Sequence, residues 1–342
     1  MITVRRIGVK DEFCQQVGSQ EYLRGIYGLS VDSIISQLGY IDEEIEIVVS
    51  DNASTDRTPE IIREYQNKYS FIKYFRNEEN LGADRNFDLA VRRSTGEYVW
   101  LFSDDDMMVL GGVRKALGVL NGHPGLAAIF VNWGNYSPDL KQCNVERTID
   151  IQKDIFFKTA DDFLSTVKLN AIFVSSNIIR RSLWEQAYCE IHMGSNWIHY
   201  ATLLTIIAGH YSYCIAEPYV MYRTGNIHWN KHSETNIKNT MSLMRILNGL
   251  TKKGYSKMSV SKARMVIIRS LPWEIIVLKT KGLVPREFHI KDMITQLKRY
   301  PSFWVLDLPL LLLPSQIYSS KITRLVYRIA RKGYKELRGE LS

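Results

Sequence analysis

The sequence predicts an α/β protein: a mostly parallel sheet with helices on both faces, followed by a mainly helical C-terminal region. Two observations carry this prediction. From Ile45 to Asn132, short β-branched runs alternate with helical segments, the pattern of strand–helix–strand units. The two stretches richest in reactive groups, Asp51–Asp56 and Asp104–Asp106, each follow such a run. That puts both at strand carboxyl ends, where open α/β sheets bind ligands.

Ile45–Ser50 (IEIVVS) is a short apolar, β-branched run, a buried strand. Pro59 then sits in the first turn of a helix reaching about Lys68. A strand over Phe71–Phe75, a turn at Asn80–Gly82 and a helix over Asp84–Arg93 follow. Gly96 closes that helix, and Glu97–Phe102 is a strand that runs into the three aspartates. A helix over Gly111–Leu120 and a strand over Leu126–Val131 complete the regular part. Beyond it the pattern loosens: a strand over Ala171–Ile179, an apolar helix over Trp197–Ile207, a strand over Cys214–Tyr222 and helices within Met241–Lys279. The expected division is an α/β half at 1–135, a second half of the same domain at 136–235, and a helical region at 236–342.

With 342 residues, 45% of them hydrophobic, the chain can bury a sizeable core, and its net charge of +8 favours an anionic partner. The cysteines, Cys14, Cys143, Cys189 and Cys214, lie far apart without a CxxC pair. Neither a zinc site nor a disulfide framework is expected, and a cytoplasmic setting fits. No apolar segment follows Arg5 and Arg6 as a signal peptide requires, and no run of about 20 apolar residues would span a membrane. A dinucleotide-binding GxGxxG turn and a P-loop are both missing.

Three adjacent carboxylates repel one another, and a hard divalent cation relieves that repulsion. Asp104, Asp105 and Asp106 therefore read as a metal–diphosphate site, the alternative being a solvated acidic loop. Asp51 can accept hydrogen bonds from a ribose or base, because Ser54, Thr55 and Asp56 are better placed to cap the next helix.

These residues carry a resemblance. Val48–Thr58 (VVSDNASTDRT) resembles the VVDNGSTDGT signature of family 2 glycosyltransferases. Asn80–Asn86 resembles their NLGxxRN element, and Thr95–Asp106 their GEYIWFLDDDD element. The three occur in the family's order and spacing over about a quarter of the chain. More distantly, Ser175–Arg181, Trp197–His199 and Glu217–Tyr222 resemble bacterial O-antigen sugar transferases of the abequosyltransferase-like branch. The resemblance implies a GT-A (Rossmann-like) fold and an inverting hexosyl or deoxyhexosyl transfer from a nucleotide-diphosphate sugar. The acceptor would be a hydroxyl of a glycan or polyprenyl-diphosphate-linked saccharide in surface polysaccharide synthesis, with Mg²⁺ or Mn²⁺ as cofactor. It assigns Asp51, Asn52, Arg85 and Asp104 to the donor, and Asp105 and Asp106 to the metal. Nucleic acid is not an expected partner.

Two departures stand out. Residues 1–30 hold no PTYNR-like loop, although Ser33–Gln37 resembles the end of the family's first helix. No ED-like pair supplies a general base, which leaves His199 and Glu190 as candidates. Two other readings stay open: a transferase-like binding protein without turnover, and a metal-dependent phosphotransferase. The second is disfavoured by Ala53, which stands where that chemistry needs an aspartate two residues after Asp51. At the C-terminal end, apolar Phe303–Leu313 precedes a basic tail with Lys321, Arg324, Arg328, Arg331, Lys332, Lys335 and Arg338. This combination predicts a peripheral contact with an anionic membrane, on its cytoplasmic face.

Overall fold

The computed structural model describes residues 2–7, 45–137, 141–188, 190–224, 233–280, 290–314 and 317. The chain forms two compact units, Met1–Asn226 and Ile227–Ser342. Ser33–Gln37, Cys14, Cys189 and the basic tail lie outside the described residues.

The first unit is organised by one sheet. β1 (Ile2–Ile7) pairs in parallel with β2 (Ile45–Asp51) on one side and β4 (Tyr98–Trp100) on the other, and β3 (Ile72–Arg76) continues the parallel set beyond β2. The atypical N-terminal run thus occupies the central position of this half. Beyond β4 the sheet changes character. β9 (Asn177–Arg180) lies antiparallel between β4 and β6 (Ala128–Tyr136). β10 (Ser212–Arg223) runs parallel to β6 and antiparallel to β5 (Met107–Met108). β7 (Cys143–Val145) and β8 (Ile155–Phe157) add antiparallel ribbons to β6 and β10. The sheet is therefore mixed, which corrects the mostly parallel sheet expected from local pattern. Ala171–Ile179 is corrected as well: two single 3₁₀ turns, Asn170–Ile172 and Val174–Ser176, precede the short β9.

Alternation along β2 decides what covers each face. Ile45, Ile47 and Val49 join a core with Ile62 of α1 (Thr58–Lys68) and with Val113, Ala116, Val119 and Leu120 of α3 (Gly112–Gly122). Glu46 and Ser50 face the other way, toward α2 (Ala83–Arg93) and the turn that follows it. There Glu46 accepts the backbone N–H groups of Thr95 (2.5 Å) and Gly96 (3.0 Å) and pairs with Lys73 at 2.6 Å. Three further helices, α4 (Ala160–Val167), α5 (Arg181–Ala187) and α6 (Ile198–Ile207), belong to the same unit. α6 is buried on nearly every side, as its uniformly apolar sequence requires.

In the second unit, α7 (Ser233–Gly249) packs on α8 (Lys257–Thr280) and on α9 (Ile290–Leu297). Phe303–Asp307 forms a π-helical turn that leads into α10 (Leu308–Leu312).

The loop after β2 holds one strained residue. Ala53 has φ +63°, a left-handed conformation that disfavours any residue with a Cβ. Ala53→Gly removes that strain but adds chain entropy to the unfolded state. A net gain of roughly 0.5–1 kcal/mol in urea denaturation is expected, and a loss would contradict the left-handed backbone.

Candidate active site

β2 and β4 flank β1 in parallel, so their carboxyl ends open on the same edge of the sheet. Asp51 ends β2, and Asp104 follows β4 by a few residues. Each of the two loops is fastened by buried hydrogen bonds.

Asn52 fastens the first. Its Oδ1 accepts from Asn77 Nδ2 (3.1 Å) and Leu81 N (2.9 Å), while its Nδ2 donates to Asn80 Oδ1 (2.8 Å). Beneath it, Asn86 Oδ1 accepts from Ser50 Oγ (2.7 Å) and Asn77 Nδ2 (3.1 Å), and Asn86 Nδ2 donates to the Ser50 carbonyl (3.0 Å). Arg93 closes the network by donating to Ser50 Oγ (3.0 Å) and Asn77 Oδ1 (2.9 Å). Ser50, Asn52, Asn77 and Asn86 are all buried.

Asp51 is fully buried and its carboxylate organises the loop. Oδ1 accepts the Ser54 N–H at 2.8 Å; Oδ2 accepts the Tyr74 hydroxyl at 2.5 Å and pairs with Arg76 at 3.5 Å. Burial first, and then the hydrogen bond to Asp51 and its charge, push the Tyr74 phenol well above its usual range. Capping is shared: Asp56 receives the Thr58 N–H (2.8 Å), and Asp51, expected from sequence to be available to a ligand, also holds the Ser54 N–H. Arg85 is exposed on α2, and its charge acts on the Tyr188 hydroxyl. Asn86 beside it faces Ser50 instead.

Ser175 fastens the acidic run. Its carbonyl accepts from Trp100 Nε1 (2.8 Å), and its hydroxyl accepts the Ser103 N–H (2.9 Å) and donates to Asp106 Oδ2 (2.6 Å). Asp106 is therefore turned inward, whereas Asp104 and Asp105 are half-buried. The Ser103 hydroxyl donates to Asp105. Burial, reinforced by the Asp105 charge, raises the Asp106 carboxyl well above the usual range, and its Oδ1 has no hydrogen-bond partner among the described residues. Among the described residues no three His, Cys, Asp or Glu side chains converge as a ready-made metal site; what the acidic run offers a divalent cation is hard carboxylate oxygen and an unpartnered Asp106 Oδ1. Ser175 was not assigned a role from sequence; a lone serine ahead of a short strand gives no signal of which carboxylate it meets.

The two base candidates occupy opposite environments. Glu190 is exposed on the single turn Glu190–His192. His199 is 3% exposed, with Nε2 2.8 Å from the Ile172 carbonyl and its ring edge-on to Phe87 at 5.3 Å. Burial lowers its pKa to about 4. This is a neutral core imidazole, which corrects the expectation of a solvent-reachable base at this position.

A second buried carboxylate went unread in the sequence. Asp84, in the first turn of α2, accepts the N–H groups of Asn196 (2.8 Å) and Ile198 (3.1 Å). Burial raises its pKa despite these bonds. It caps the start of α6, where Gly194 (φ +77°) and Asn196 (φ +67°) bend the chain.

Residues 28–186 match the family model described as Glycosyl transferase family 2. The abequosyltransferase RfbV of Salmonella typhimurium is 26% identical over 258 residues, 67% of this chain and 72% of that protein. The GalNAc(5)-diNAcBac-PP-undecaprenol beta-1,3-glucosyltransferase of Campylobacter jejuni is 29% identical over 134 residues, covering 37% of this chain and 43% of that one. Among solved structures, S. aureus TarS 1-349 in complex with UDP-GlcNAc aligns with a TM-score of 0.53 at 14% identity, over 97% of this chain and 92% of that one. The mannosyltransferase PcManGT from Pyrobaculum calidifontis, in complex with GDP-Man and Mn²⁺, aligns with a TM-score of 0.51 at 17% identity, over 91% and 84% of the two chains. These likenesses establish the fold.

His199 gives a pH test. Its folded pKa of about 4 lies below the unfolded value of 6.5, so the unfolded chain takes the proton first. Its share of stability is intact above the unfolded pKa and is lost progressively as pH falls toward 4, by up to about 3 kcal/mol. The difference in denaturation free energy between wild type and His199→Gln should change over this window and be flat above pH 7. A constant difference would place the imidazole in solvent.

Proposed function

We propose that this chain, whose residues 28–186 are those of a family 2 glycosyltransferase, moves a sugar from a nucleotide-diphosphate sugar to a hydroxyl of a glycan or lipid-linked acceptor in bacterial surface polysaccharide synthesis. The observation that carries the reading is the common sheet edge shared by the Asp51–Asn52 loop and the Asp104–Asp106 run. The lipid-linked acceptor draws on the undecaprenol in the name of the Campylobacter jejuni protein.

In this reading the β2 loop receives the nucleoside. A ribose or base donor reaching Asp51 would exchange with the Tyr74 or Arg76 contact, so the carboxylate stays paired throughout. Asp105, with Asp104 or Asp106, would hold the divalent cation. When bound, that cation supplies Lewis-acid stabilisation of the charge developing on the leaving diphosphate. Arg85 is exposed and can turn its guanidinium toward a phosphate. The acceptor hydroxyl attacks the anomeric carbon from the face opposite the diphosphate, which inverts the centre. Of the two base candidates, Glu190 has access to solvent and His199 does not, so the reading puts proton removal on Glu190.

Asp105→Ala tests the metal assignment. A half-buried loop carboxylate contributes little to the core, so circular dichroism and thermal midpoint should stay near wild type. Transfer should fall by about 100-fold or more with Mn²⁺ present. Wild-type turnover in Asp105→Ala would rule the site out.

The second unit supports a membrane contact. Among the described residues no helix is long and apolar enough to cross a membrane, yet Trp304, Val305, Leu306, Leu312 and Leu313 are exposed within a short stretch. We place this apolar surface in the headgroup region of an anionic bilayer. Co-sedimentation with phosphatidylglycerol vesicles should weaken but persist at high salt, and fall sharply when Trp304, Val305 and Leu306 are changed to serine. Full-length protein that stays in the supernatant at low salt would refute the contact.

A further inference from the structure

A groove of about 550 Å³ runs along α3 on the first unit, lined by Arg114, Lys115, Gly118, His123, Tyr213 and Tyr219. None of these residues has a role in the site described above. We propose that this groove binds an acidic saccharide segment of the acceptor; the proposal rests on the glycan-acceptor reading.

The lining matches a sugar in three ways. Its aromatic part continues past the groove: His123 lies 5.1 Å from Tyr213 and 5.5 Å from Phe156, and Phe156 lies 5.3 Å from Tyr211. Phe156 and Tyr211 are exposed, so this is a strip of rings in water on which the C–H faces of pyranose rings can stack. The polar part is fixed in advance. Asp154 pairs with Lys115 at 2.8 Å, accepts from Tyr213 Oη at 3.2 Å and from Ala216 N at 2.9 Å. A wall held in this way pays little entropy on binding. The rim is cationic, with Arg114 exposed beside Lys115, and a guanidinium fits a carboxylate or phosphate substituent by two parallel hydrogen bonds. Lys115 is already neutralised by Asp154, so Arg114 is the cation that a purely apolar partner would leave desolvated and unpaired.

One lining residue, Gly118, is an exposed glycine within a helix. A Cβ built on Gly118 meets nothing within 4 Å, so packing inside the protein does not require glycine there, and helix propensity opposes it. This gives a variant that should fold at least as well as wild type while filling the groove. Tyr219, also in the lining, rests on Gly112 so closely that an added Cβ would meet Tyr219 Cβ at 3.1 Å.

The test uses the full chain, with tetragalacturonic acid as acidic probe and maltotetraose as neutral one, by titration calorimetry. The acidic probe should bind about ten-fold more tightly than the neutral one, and Arg114→Ala should abolish that preference. Gly118→Leu should weaken the acidic probe by about ten-fold or more with an unchanged or raised thermal midpoint. UDP and GDP binding with Mn²⁺, measured on the same samples, should be the same in Gly118→Leu and wild type. Oligosaccharide binding that is absent, or that survives Gly118→Leu, overturns the groove assignment. Loss of nucleotide binding alone, with the saccharide pattern intact, strikes the glycosyltransferase reading and leaves the groove standing.

Discussion

Asn52 and Asn86 stand back to back under the edge of the sheet, and every polar atom of both side chains is engaged. A buried amide that loses a partner costs about 1–3 kcal/mol. The end of β2, the residue after β3 and the start of α2 are therefore locked to one another, because moving any one strands the amides of the other two. Charge stabilisation at such an edge needs groups that do not reorganise when a ligand arrives. The amide network supplies that stiffness without adding net charge, apart from Arg93 at its periphery.

The acidic run follows a different principle. Like charges held close cannot all be buried and ionised, and here they are separated by depth. Asp106 is drawn inward by Ser175 and carries a raised pKa, from burial first and Asp105 second. Asp104 and Asp105 stay at half depth. Ser175 therefore does more than hold a loop: it decides which of three identical side chains faces the core. It can do so because β9 enters the sheet antiparallel beside β4, bringing a residue from 69 positions away onto the acidic run.

That long-range entry marks the limit of what the sequence discloses. β2, β3 and α1–α3 are local objects, written as β-branched runs, turn residues and helical spacing, and their positions agree closely with those expected from pattern alone. The family resemblance was legible for the same reason, since its three motifs are contiguous. The direction of β9 is not local; strand polarity beside β4 depends on the path of the chain through α4 and the two 3₁₀ turns, and no periodicity records it. His199 misleads by the same logic. An imidazole among apolar neighbours reads as either a structural group or a base, and its core position follows from α6 being buried on nearly every side. The partners of Asp51 are equally hidden in the sequence, because Tyr74 and Arg76 arrive from another strand.

α2 shows how completely tertiary partners can override a hydropathy pattern. Asp84, Asn86 and Asp88 are all buried, although a polar, charge-rich segment would ordinarily turn such residues to solvent. Each has a specific partner. Asn86 takes the end of β2, Asp88 takes Arg92 at 2.9 Å and Trp184 Nε1 at 3.1 Å, and Asp84 takes the backbone that opens α6. The helix thus reaches three separate parts of the first unit through hydrogen bonds to buried side chains. Its apolar residue Phe87 meets His199 between them. A strut of this kind explains why α6 begins without a side-chain cap of its own: the carboxylate that accepts its first N–H, that of Ile198, is supplied by α2. The loop bearing Asn196 and Trp197 is consequently positioned by the same element that fixes the Asp51–Asn52 loop.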